Sequence, residues 1–488
     1  MENSGVKFGT SGARGLVAAM TDEVCFAYTA AFLQHLESQQ RVGASRAVAV
    51  AGDLRPSTGR IMNAVAEAIR SRGCTPIHCG RVPSPAVALL GLQRGIPAIM
   101  VTGSHIPDDR NGIKFNAPEG EILKHDEQGI RAQTVEIADA FDDAGMLHAG
   151  EATMEQIDPA AGRGYVRRWL DAFPHDALKG LRLGIYGHSA VGRELLVEIM
   201  AGLGAETVRL GWSEKFIPVD TEAIRREDAD LGARWAREQG MDAIVSTDGD
   251  SDRPLISDEH GKWLRGDVAG ILCARYLKAD AVVAPVSCNT ALEACGDFAK
   301  VVRTKIGSPY VIEAMARSVA EGSKRVVGYE ANGGFLTASD LRLGARVLAA
   351  LPTRDPVIVH LAILFAAKER KRAVSALLAE LPQRFTASDR LQEFPPALSQ
   401  AKLAQLGSGS AAHVGEAFEG VFGPVATVST VDGVRVTFAT GEVVHVRASG
   451  NAPELRCYTE ASTETRAMEL NAQAMAIVGR WRGAGSQG

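Results

Sequence analysis

The sequence predicts an α/β protein: three repeated mixed α/β domains plus a smaller C-terminal α+β domain, arranged around a central cleft. Two observations predict this fold. Apolar strand-like runs and helix-like segments alternate in three successive blocks, which is the pattern of doubly wound α/β layers. The tail instead alternates short apolar runs around turn residues such as Asp432-Gly433 and ends in one helix, as a β-meander followed by a helix does.

The composition is that of an ordinary soluble globular protein. The chain has 488 residues, of which 46% are hydrophobic and 23% charged, and its formal net charge is -5. This length corresponds to about three or four domains of ~100–200 residues each. A slightly acidic chain lacks the basic footprint of nucleic-acid binding, so we expect no nucleic-acid partner.

The N-terminus and the cysteines indicate the compartment. The first residues lack the basic-then-apolar order of a signal peptide, and no apolar run is long enough to span a bilayer. The seven cysteines are scattered and odd in number, and Cys74 and Cys79 are too isolated for a Cys/His zinc site. Buried thiols in a reducing compartment are expected instead, so we predict a cytoplasmic protein without a membrane partner.

The first block opens with a helix at 22–37, which Thr21 precedes as a cap and which carries Asp22 and Glu23 in its first turn. A strand at 47–51, a helix after Pro56, a strand at 75–79, a helix from Ser84 and a strand at 96–101 follow.

The same alternation recurs twice. In the second block the predicted strands are 181–187, 207–210 and 243–247, and the helices are 189–203 and 228–238. In the third block, strands at 281–286, 301–304 and 326–328 alternate with helices at 290–298 and 309–320, and 354–381 is rich in helix formers. The last strand of each block runs into a polar loop, so we expect the three loops to converge on one cleft.

The sequence pattern changes after Leu381. Pro382, Pro395, Pro396 and the run 407–410 predict a linker region. Strands are predicted at 425–430, 434–439 and 443–446, and a helix at 463–480. The predicted domains are 1–150, 151–260, 261–382 and, as the C-terminal α+β domain, 383–488.

The loop after the first block holds one serine, Ser104, at the carboxyl end of a strand, where open α/β sheets place their chemistry. Gly103 lets the backbone bend before it and Pro107 stops any helix. His105 and Lys114 bring possible proton carriers close to the hydroxyl. The alternative is a surface turn with an incidental serine.

Three carboxylates, Asp248, Asp250 and Asp252, follow the last strand of the second block at alternate positions. Carboxylates this close raise one another's pKa unless a cation lies among them, and hard oxygen ligands suit Mg²⁺ or Ca²⁺. An EF-hand is excluded because Arg253 occupies the position that needs glycine and a strand precedes the loop. A solvated acidic turn is the alternative.

Three further segments have binding chemistry. Glu330 and Asn332 offer acceptors for sugar hydroxyls in the loop 330–334. The segment 6–15 combines glycines with Arg14, a bidentate phosphate donor. The loop 447–453 forms a candidate phosphate cradle from Arg447, Ser449, Gly450 and Asn451. An ordinary turn, a flexible N-terminal segment and a polar hairpin loop are the respective alternatives.

Together, and in this order, these five segments resemble the α-D-phosphohexomutase superfamily. Residues 8–15 resemble its N-terminal signature, 102–107 its T-A-S-H-N-P serine loop and 248–253 its D-G-D-[GA]-D-R metal loop. Residues 330–334 resemble its E-x-S-G sugar loop, and 447–453 its R-x-S-G-T-x-P phosphate loop. The resemblance covers nearly the whole chain and implies four domains around one deep cleft.

The resemblance also implies roles for individual residues. Ser104 would carry a phosphoryl group and, with the three aspartates, hold Mg²⁺. Arg14, Arg253 and Lys114 would stabilise charge, with Lys114 or His105 as proton carrier. Lys305 would touch the ligand, and the remaining candidates would bind the substrate, namely Glu330, Asn332, Arg447, Ser449, Gly450 and Asn451.

The activity that the resemblance implies is reversible phosphoryl transfer between the 1- and 6-positions of a hexose phosphate, with mannose phosphate as the expected sugar. A hexose 1,6-bisphosphate would serve as intermediate and activator. Phosphoglucosamine mutase and phosphoglucomutase are the alternatives within the family, and an inactive phosphosugar-binding protein is the alternative outside enzymes. We expect a small phosphosugar as the partner and a monomer or a homodimer.

Some positions depart from the family patterns. Gly103 and Ile106 replace the usual alanine and asparagine of the serine loop. Asn332 stands where many members have serine, and Gly334 stands where many have a histidine thought to aid proton transfer. The resemblance therefore leaves the identity of the base and the sugar preference open.

Overall fold

A computed structural model describes residues 1, 4–9, 11–137, 139–148, 154–343, 346–418, 420–449 and 453–482. Its contacts divide the chain into two units, which we describe separately. Unit 1 consists of Met1–Val282 and Ser308–Leu378, and unit 2 of Val283–Gly307 and Ala379–Gly488.

The first block, in unit 1, builds a mixed sheet between helices. Its elements are β1 (Lys7–Phe8), β2 (Gly12–Leu16), α1 (Asp22–Ser38), β3 (Ala47–Gly52), α2 (Thr58–Ser71), β4 (Thr75–His78), α3 (Ser84–Arg94), β5 (Ala98–Val101), β6 (Arg110–Ala117), β7 (Gly120–Glu121) and α4 (Lys124–Arg131). The strand order is β1-β2-β6-β5-β3-β4, with β7 on β6. Strand β3 is parallel to β4 and β5, and β6 is antiparallel to β5. Thr21 caps α1 as predicted, since its hydroxyl accepts from the Val24 N–H at 3.3 Å.

The second block, also in unit 1, repeats this pattern on a smaller sheet. It contains α5 (Ala160–Ala172), β8 (Arg182–Tyr186), α6 (Arg193–Gly202), β9 (Glu206–Leu210), α7 (Arg226–Gln239), β10 (Ala243–Thr247) and β11 (Pro254–Ile256). The strand order is β11-β10-β8-β9, in which only β11 is antiparallel.

Helix α6 begins later than the predicted residue 189. The preceding segment binds the aspartate loop instead: Val191 N–H donates to the Gly249 carbonyl at 3.0 Å and Gly192 N–H to Ser251 Oγ at 2.9 Å. A Cβ on Gly192 would lie 2.8 Å from that Oγ atom. The close approach needs a glycine and takes these residues out of the helix.

The third block divides between the units. Its elements are α8 (Gly266–Tyr276), β12 (Ala281–Pro285), α9 (Ala291–Ala294), β13 (Lys300–Thr304), α10 (Ser308–Ala320), β14 (Val326–Tyr329), β15 (Phe335–Thr337), β16 (Leu341–Leu343), β17 (Arg346–Leu348), α11 (Pro356–Arg370) and α12 (Val374–Leu378). Strands β14 and β15 are antiparallel. Helix α9 is shorter than predicted, since Gly296 takes a left-handed φ of +70° just beyond it.

The C-terminal part of unit 2 is an antiparallel sheet covered by helices. It contains β18 (Phe385–Leu391), α13 (Pro396–Ser408), α14 (Ala411–Ala417), β19 (Val425–Ser429), β20 (Val434–Phe438), β21 (Val443–Ala448), β22 (Leu455–Ala461) and α15 (Glu464–Arg480), with strand order β18-β22-β21-β20-β19.

The predicted linker after Leu381 is wrong, because β18 and α13 occupy it. Strand β18 pairs with β22 over seven residues, from Phe385 to Leu391. It escaped prediction because it is an edge strand with polar side chains. Pro396 is the first residue of α13, a position where proline favours a helix rather than interrupting it.

The cysteines agree with the sequence prediction. All seven are free thiols, and only Cys295 is not buried. Among the described helices, none is long and apolar enough to cross a membrane.

In unit 1, a buried hydrogen bond joins the second block to the third. Tyr165 of α5 donates through its hydroxyl to Asp355 Oδ1 at 2.6 Å. Asp355 also caps α11 by accepting from the Val357 N–H at 3.0 Å. Burial raises the pKa of Asp355, although Arg168 and the Tyr165 hydroxyl favour its charged form. This carboxyl group therefore depends on its few hydrogen-bond donors.

The variant Tyr165→Phe removes the hydroxyl donor, so Asp355 Oδ1 keeps only the Val357 N–H, while the buried Oδ2 already has no hydrogen-bond partner among the described residues. We expect the free energy of unfolding to fall by about 1–3 kcal/mol, seen as a lower midpoint in differential scanning calorimetry. Tyr276→Phe is the matched control, because the Tyr276 hydroxyl donates at 2.8 Å to Glu369, an exposed carboxylate. Equal midpoints for the two variants would contradict the importance of the buried bond.

Candidate active site

The three polar loops lie at equivalent positions in unit 1. Each connects the last strand of a block to an antiparallel neighbour: β5 to β6, β10 to β11 and β14 to β15. Repeated topology thus places one loop of each block at the carboxyl end of a strand, where α/β folds carry their binding groups.

Ser104 has a strained backbone in the first of these loops. Its φ is +58°, a left-handed conformation that costs roughly 1–3 kcal/mol for a residue with a side chain. The Ser104 N–H donates to Thr102 Oγ1 at 2.7 Å. The residue is completely buried, and its hydroxyl is directed by a hydrogen bond to Asp248.

Arg55, which sequence reasoning missed, holds the serine loop in this shape. Its guanidinium donates to the carbonyls of Ser104 at 2.8 Å and Ile106 at 2.6 Å. Asp53 fixes the other side, accepting from Arg55 Nε at 3.0 Å. A Cβ on Gly103 would lie 2.6 Å from Arg55 Cζ, so glycine permits the contact. The position of Asp53 and Arg55 just after strand β3, beside β5, was the available signal.

Asp248 accepts a hydrogen bond from the Ser104 hydroxyl. Ser104 Oγ donates to Asp248 Oδ2 at 2.6 Å, and Oδ1 accepts from the backbone N–H groups of Asp252 and Arg253 at 3.1 and 3.2 Å. Burial and the charges of Asp250 and Asp252 raise the pKa of Asp248 well above its usual value. A cation is therefore needed to keep all three carboxylates charged.

Lys114 supplies one such cation. Its Nζ lies 2.5 Å from Asp250 Oδ2 and 2.7 Å from Asp252 Oδ2. Ser84, at the start of α3, donates to Asp250 Oδ2 at 2.6 Å. Burial opposes the charge of Asp250, but Lys114 and these hydrogen bonds lower its pKa. The carboxylate is thus held charged and fixed in place.

The aspartates fit a hard divalent cation. One oxygen from each of Asp248, Asp250 and Asp252 lies within 4.8 Å of the others. The Oδ1 atoms of Asp250 and Asp252 are buried and have no hydrogen-bond partner among the described residues. Buried acceptors without donors are costly, and a cation that prefers oxygen ligands, such as Mg²⁺ or Ca²⁺, would satisfy them.

His105 is neutral and engaged with Arg253. Arg253 Nη1 donates to His105 Nδ1 at 2.8 Å, while Nε2 lies 3.9 Å from Asp220 Oδ2. Burial and the Arg253 charge lower the pKa of His105 to about 3. Burial and Arg253 likewise lower the pKa of Arg14 to about 10. The structure therefore brings a neutral imidazole and two arginines together beside the aspartates.

The sugar loop uses its two predicted residues differently. Asn332 Oδ1 accepts from the Gly334 N–H at 2.9 Å, so this oxygen is engaged within the loop. Glu330 instead faces Arg354, whose Nη1 lies 3.3 Å from Glu330 Oε2. Arg354 Nε also lies 3.0 Å from Asp252 Oδ2. Sequence reasoning missed Arg354 because it was assigned to a predicted helix, whereas it precedes α11.

Two predicted binding segments lie in unit 2, where Asp432 joins them. Asp432 Oδ2 accepts from the Ile306 N–H at 3.0 Å, next to Lys305, and lies 3.4 Å from Arg447 Nε. The Ser449 N–H donates to the Glu454 carbonyl at 2.9 Å. Two further predicted residues lie outside the described part of the chain, namely Gly450 and Asn451.

Four family models match the chain in order. They describe the phosphoglucomutase/phosphomannomutase alpha/beta/alpha domains I, II and III, at residues 5–140, 163–261 and 265–385, and the C-terminal domain at residues 389–477. These matches confirm the predicted fold class of three repeated α/β domains and a distinct C-terminal domain. The exact boundaries stay a prediction.

Individual relatives are similar to this chain over nearly their full length. A phosphomannomutase of Sinorhizobium fredii is 44% identical over 97% of this chain and 99% of its own, and one of Salmonella muenchen is 43% identical over 96% and 95%. A probable phosphoglucosamine mutase of Methanothermobacter thermautotrophicus is 27% identical over 95% and 96%.

Among solved structures, a phosphoglucomutase/phosphomannomutase family protein of Burkholderia thailandensis has a TM-score of 0.75 at 20% identity over 97% of each chain. At this identity the likeness shows the fold alone. The four domain matches and the full-length relatives go further: the chain belongs to the phosphoglucomutase/phosphomannomutase family of phosphohexomutases, as its motifs predicted.

Proposed function

We propose that the chain interconverts hexose 1-phosphate and hexose 6-phosphate, with mannose as the preferred sugar and Ser104 as the phosphoryl carrier. One observation supports this proposal above the others. The buried Ser104 Oγ lies 2.6 Å from Asp248, one of three clustered carboxylates. A serine fixed beside a divalent cation site is the arrangement that phosphoryl transfer needs.

The proposed reaction starts from phosphorylated Ser104. A free sugar hydroxyl attacks the phosphorus, the bond from phosphorus to Ser104 Oγ breaks, and a hexose 1,6-bisphosphate forms. After the bisphosphate reorients, Ser104 Oγ attacks its other phosphoryl group, the sugar–oxygen–phosphorus linkage there breaks, and the isomeric monophosphate is released. Phosphoryl groups are conserved because the enzyme ends phosphorylated, as it began.

In this proposal Asp248, Asp250, Asp252 and an oxygen on phosphorylated Ser104 hold Mg²⁺. When bound, the ion would neutralise charge on the transferring oxygens. Ser84 and Lys114 hold the Asp250 carboxylate in place.

The cationic side chains have separate tasks. We assign proton exchange with the reacting oxygens to Lys114, since the Nδ1 lone pair of His105 already accepts from Arg253 and a pKa of about 3 makes the imidazole a weak base. Arg253 and Arg14 stabilise negative charge on the phosphoryl group, as half-buried arginines beside a carboxylate cluster can.

Substrate recognition is assigned to the remaining candidates. Glu330 is proposed to accept from sugar hydroxyls, with Asn332 shaping the turn through its hydrogen bond to Gly334. In unit 2, the non-reacting phosphate is assigned to Lys305, Arg447, Ser449, Gly450 and Asn451.

The relatives support mannose over the alternatives. Those named phosphomannomutase are 43–44% identical to the chain, whereas the relative named probable phosphoglucosamine mutase is 27% identical. The sugar loop also lacks the serine-glycine-histidine run that the glucosamine branch usually carries, since Asn332-Gly333-Gly334 stands there.

The sugar preference of the protein is tested by phosphorus NMR in the presence of Mg²⁺ and a trace of hexose 1,6-bisphosphate. Mannose 1-phosphate, glucose 1-phosphate and glucosamine 1-phosphate are supplied separately. We expect a 6-phosphate signal to grow fastest from mannose 1-phosphate. Faster growth from glucosamine 1-phosphate would overturn the mannose assignment, and no signal from any sugar with Ser104-phosphorylated protein would indicate a phosphosugar-binding protein instead.

The variant Ser104→Ala removes the proposed phosphoryl carrier. We expect turnover to fall below detection in the coupled assay, because the reaction has no other acceptor, while calorimetric binding of mannose 1-phosphate persists. Ser45→Ala, at an exposed serine, is the control and should retain full turnover. Undiminished turnover of Ser104→Ala would exclude the phosphoserine mechanism.

Chelation of divalent cations should abolish turnover, and Mg²⁺ should restore it. Asp250→Asn should lower turnover by at least about 10²-fold even in excess Mg²⁺, since it removes one charged ligand. The matched control is Asp230→Asn, because Asp230 is exposed on α7. Metal binding by isothermal titration should weaken in Asp250→Asn and not in the control; equal binding would contradict the assigned site.

A further inference from the structure

Gly334 and Arg354 of unit 1 share one space. A Cβ on Gly334 would lie 2.5 Å from Arg354 Cδ and 2.8 Å from Arg354 Cγ. These distances are too short for any side chain at residue 334 while Arg354 keeps its place. The aliphatic stem of Arg354 therefore fills the volume that a larger residue at 334 would occupy.

The head of Arg354 lies between two loops of the site. Its Nε is 3.0 Å from Asp252 Oδ2 of the aspartate loop, and its Nη1 is 3.3 Å from Glu330 Oε2 of the sugar loop. All three side chains are at most 6% exposed. Removing a buried ion's partner leaves an uncompensated charge, so this guanidinium contributes to the position of both carboxylates and shares Asp252 with Lys114.

The backbone around Arg354 is anchored on both sides. Thr353 Oγ1 donates to Glu121 Oε1 at 2.8 Å, and Asp355 caps α11 and accepts from Tyr165. Glu121 also accepts from Ser308 Oγ at 2.8 Å. The arginine thus projects from a fixed segment, as a residue that sets the geometry of others must.

We propose that Arg354 is a positioning residue that couples Glu330 to the aspartate loop and takes the place of the side chain absent at Gly334. The inference rests on the proposed function, since it assigns Arg354 to the same site. A planar guanidinium can face two carboxylates at once, whereas a lysine ammonium is a single point of charge. The aliphatic stem of Arg354 fills the space beside Gly334, and its guanidinium reaches past it to both carboxylates.

The chain's other groups near Arg354 do not replace it. Lys114 donates to Asp250 and Asp252 but, among the described residues, makes no hydrogen bond or ion pair with Glu330. Arg253 lies 3.7 Å from Asp252 Oδ1 and binds His105. Among the residues described in unit 1, Arg354 is therefore the cation that touches carboxylates of both loops.

The test is a cycle of Arg354→Ala, Gly334→His and the double variant, with Arg354→Lys as the conservative change. Kinetics with mannose 1-phosphate and circular dichroism are measured for each. Arg354→Ala and Arg354→Lys should both lower kcat/KM by about 10²-fold, the effect of a small misplacement of reacting groups. Gly334→His alone should do the same, because its side chain collides with Arg354.

The double variant separates positioning from packing. The space vacated by Arg354 accommodates the imidazole, so Arg354→Ala/Gly334→His should recover at least about tenfold in kcat/KM over Arg354→Ala. Arg342→Gln, which changes an exposed arginine of the same block, is the control and should keep wild-type kinetics.

Two results would overturn the inference. One is kcat/KM within twofold of wild type for both Arg354 variants. The other is a loss that follows only the unfolded fraction and is not recovered in the double variant, which would assign Arg354 a purely structural role. Wild-type protein that turns over no hexose phosphate would overturn the proposed function instead, so the two failures are distinguishable.

Discussion

The structure of unit 1 depends on the burial of three carboxylates within a few ångströms of one another. Charged groups that are this close together and shielded from water are strongly unfavourable unless opposite charges or hydrogen bonds compensate them. Asp248 shows the effect directly, because burial and its two neighbours raise its pKa. Lys114 and Arg354 approach the same cluster from other blocks of the chain. The need to balance this charge therefore ties separate blocks to one place, and in the proposed function a divalent cation and a substrate phosphate would complete the balance.

Close backbone packing makes this convergence possible. Gly103 admits Arg55 against the serine loop, and Gly192 admits Ser251 of the aspartate loop. In each case a Cβ would lie under 3 Å from a neighbouring side-chain atom, so the glycine serves contact rather than flexibility. The strained Ser104 is kept in place by Arg55, which binds its carbonyl. Strain of this kind persists only where the surroundings over-determine it.

Periodicity and motif order predicted most of the fold and the loops of the site. Alternating strands and helices predicted the three blocks, and the capped start of α1 at Thr21 was confirmed. Residues that act through distant contacts escaped prediction. Arg55 and Arg354 are far in sequence from the loops they hold. The position of Arg55 after a strand indicates a place near the site, but no local pattern shows which carbonyls or carboxylates a guanidinium binds. The edge strand β18 was missed for a related reason, since its polar side chains carry no apolar alternation.

The contrast between Asn332 and Glu330 shows how much about a residue's contacts can be inferred from its position in a motif. Both residues match the sugar loop of the family. The Asn332 side-chain oxygen accepts a hydrogen bond from the Gly334 N–H, whereas the Glu330 carboxylate forms an ion pair with Arg354. Motif position therefore predicts where a residue lies but not which partner its polar atoms choose. That choice depends on what fills the neighbouring space, and beside Gly334 the stem of Arg354 fills it. The space beside this motif position is thus filled by a side chain some twenty residues further along the chain, which local sequence does not reveal.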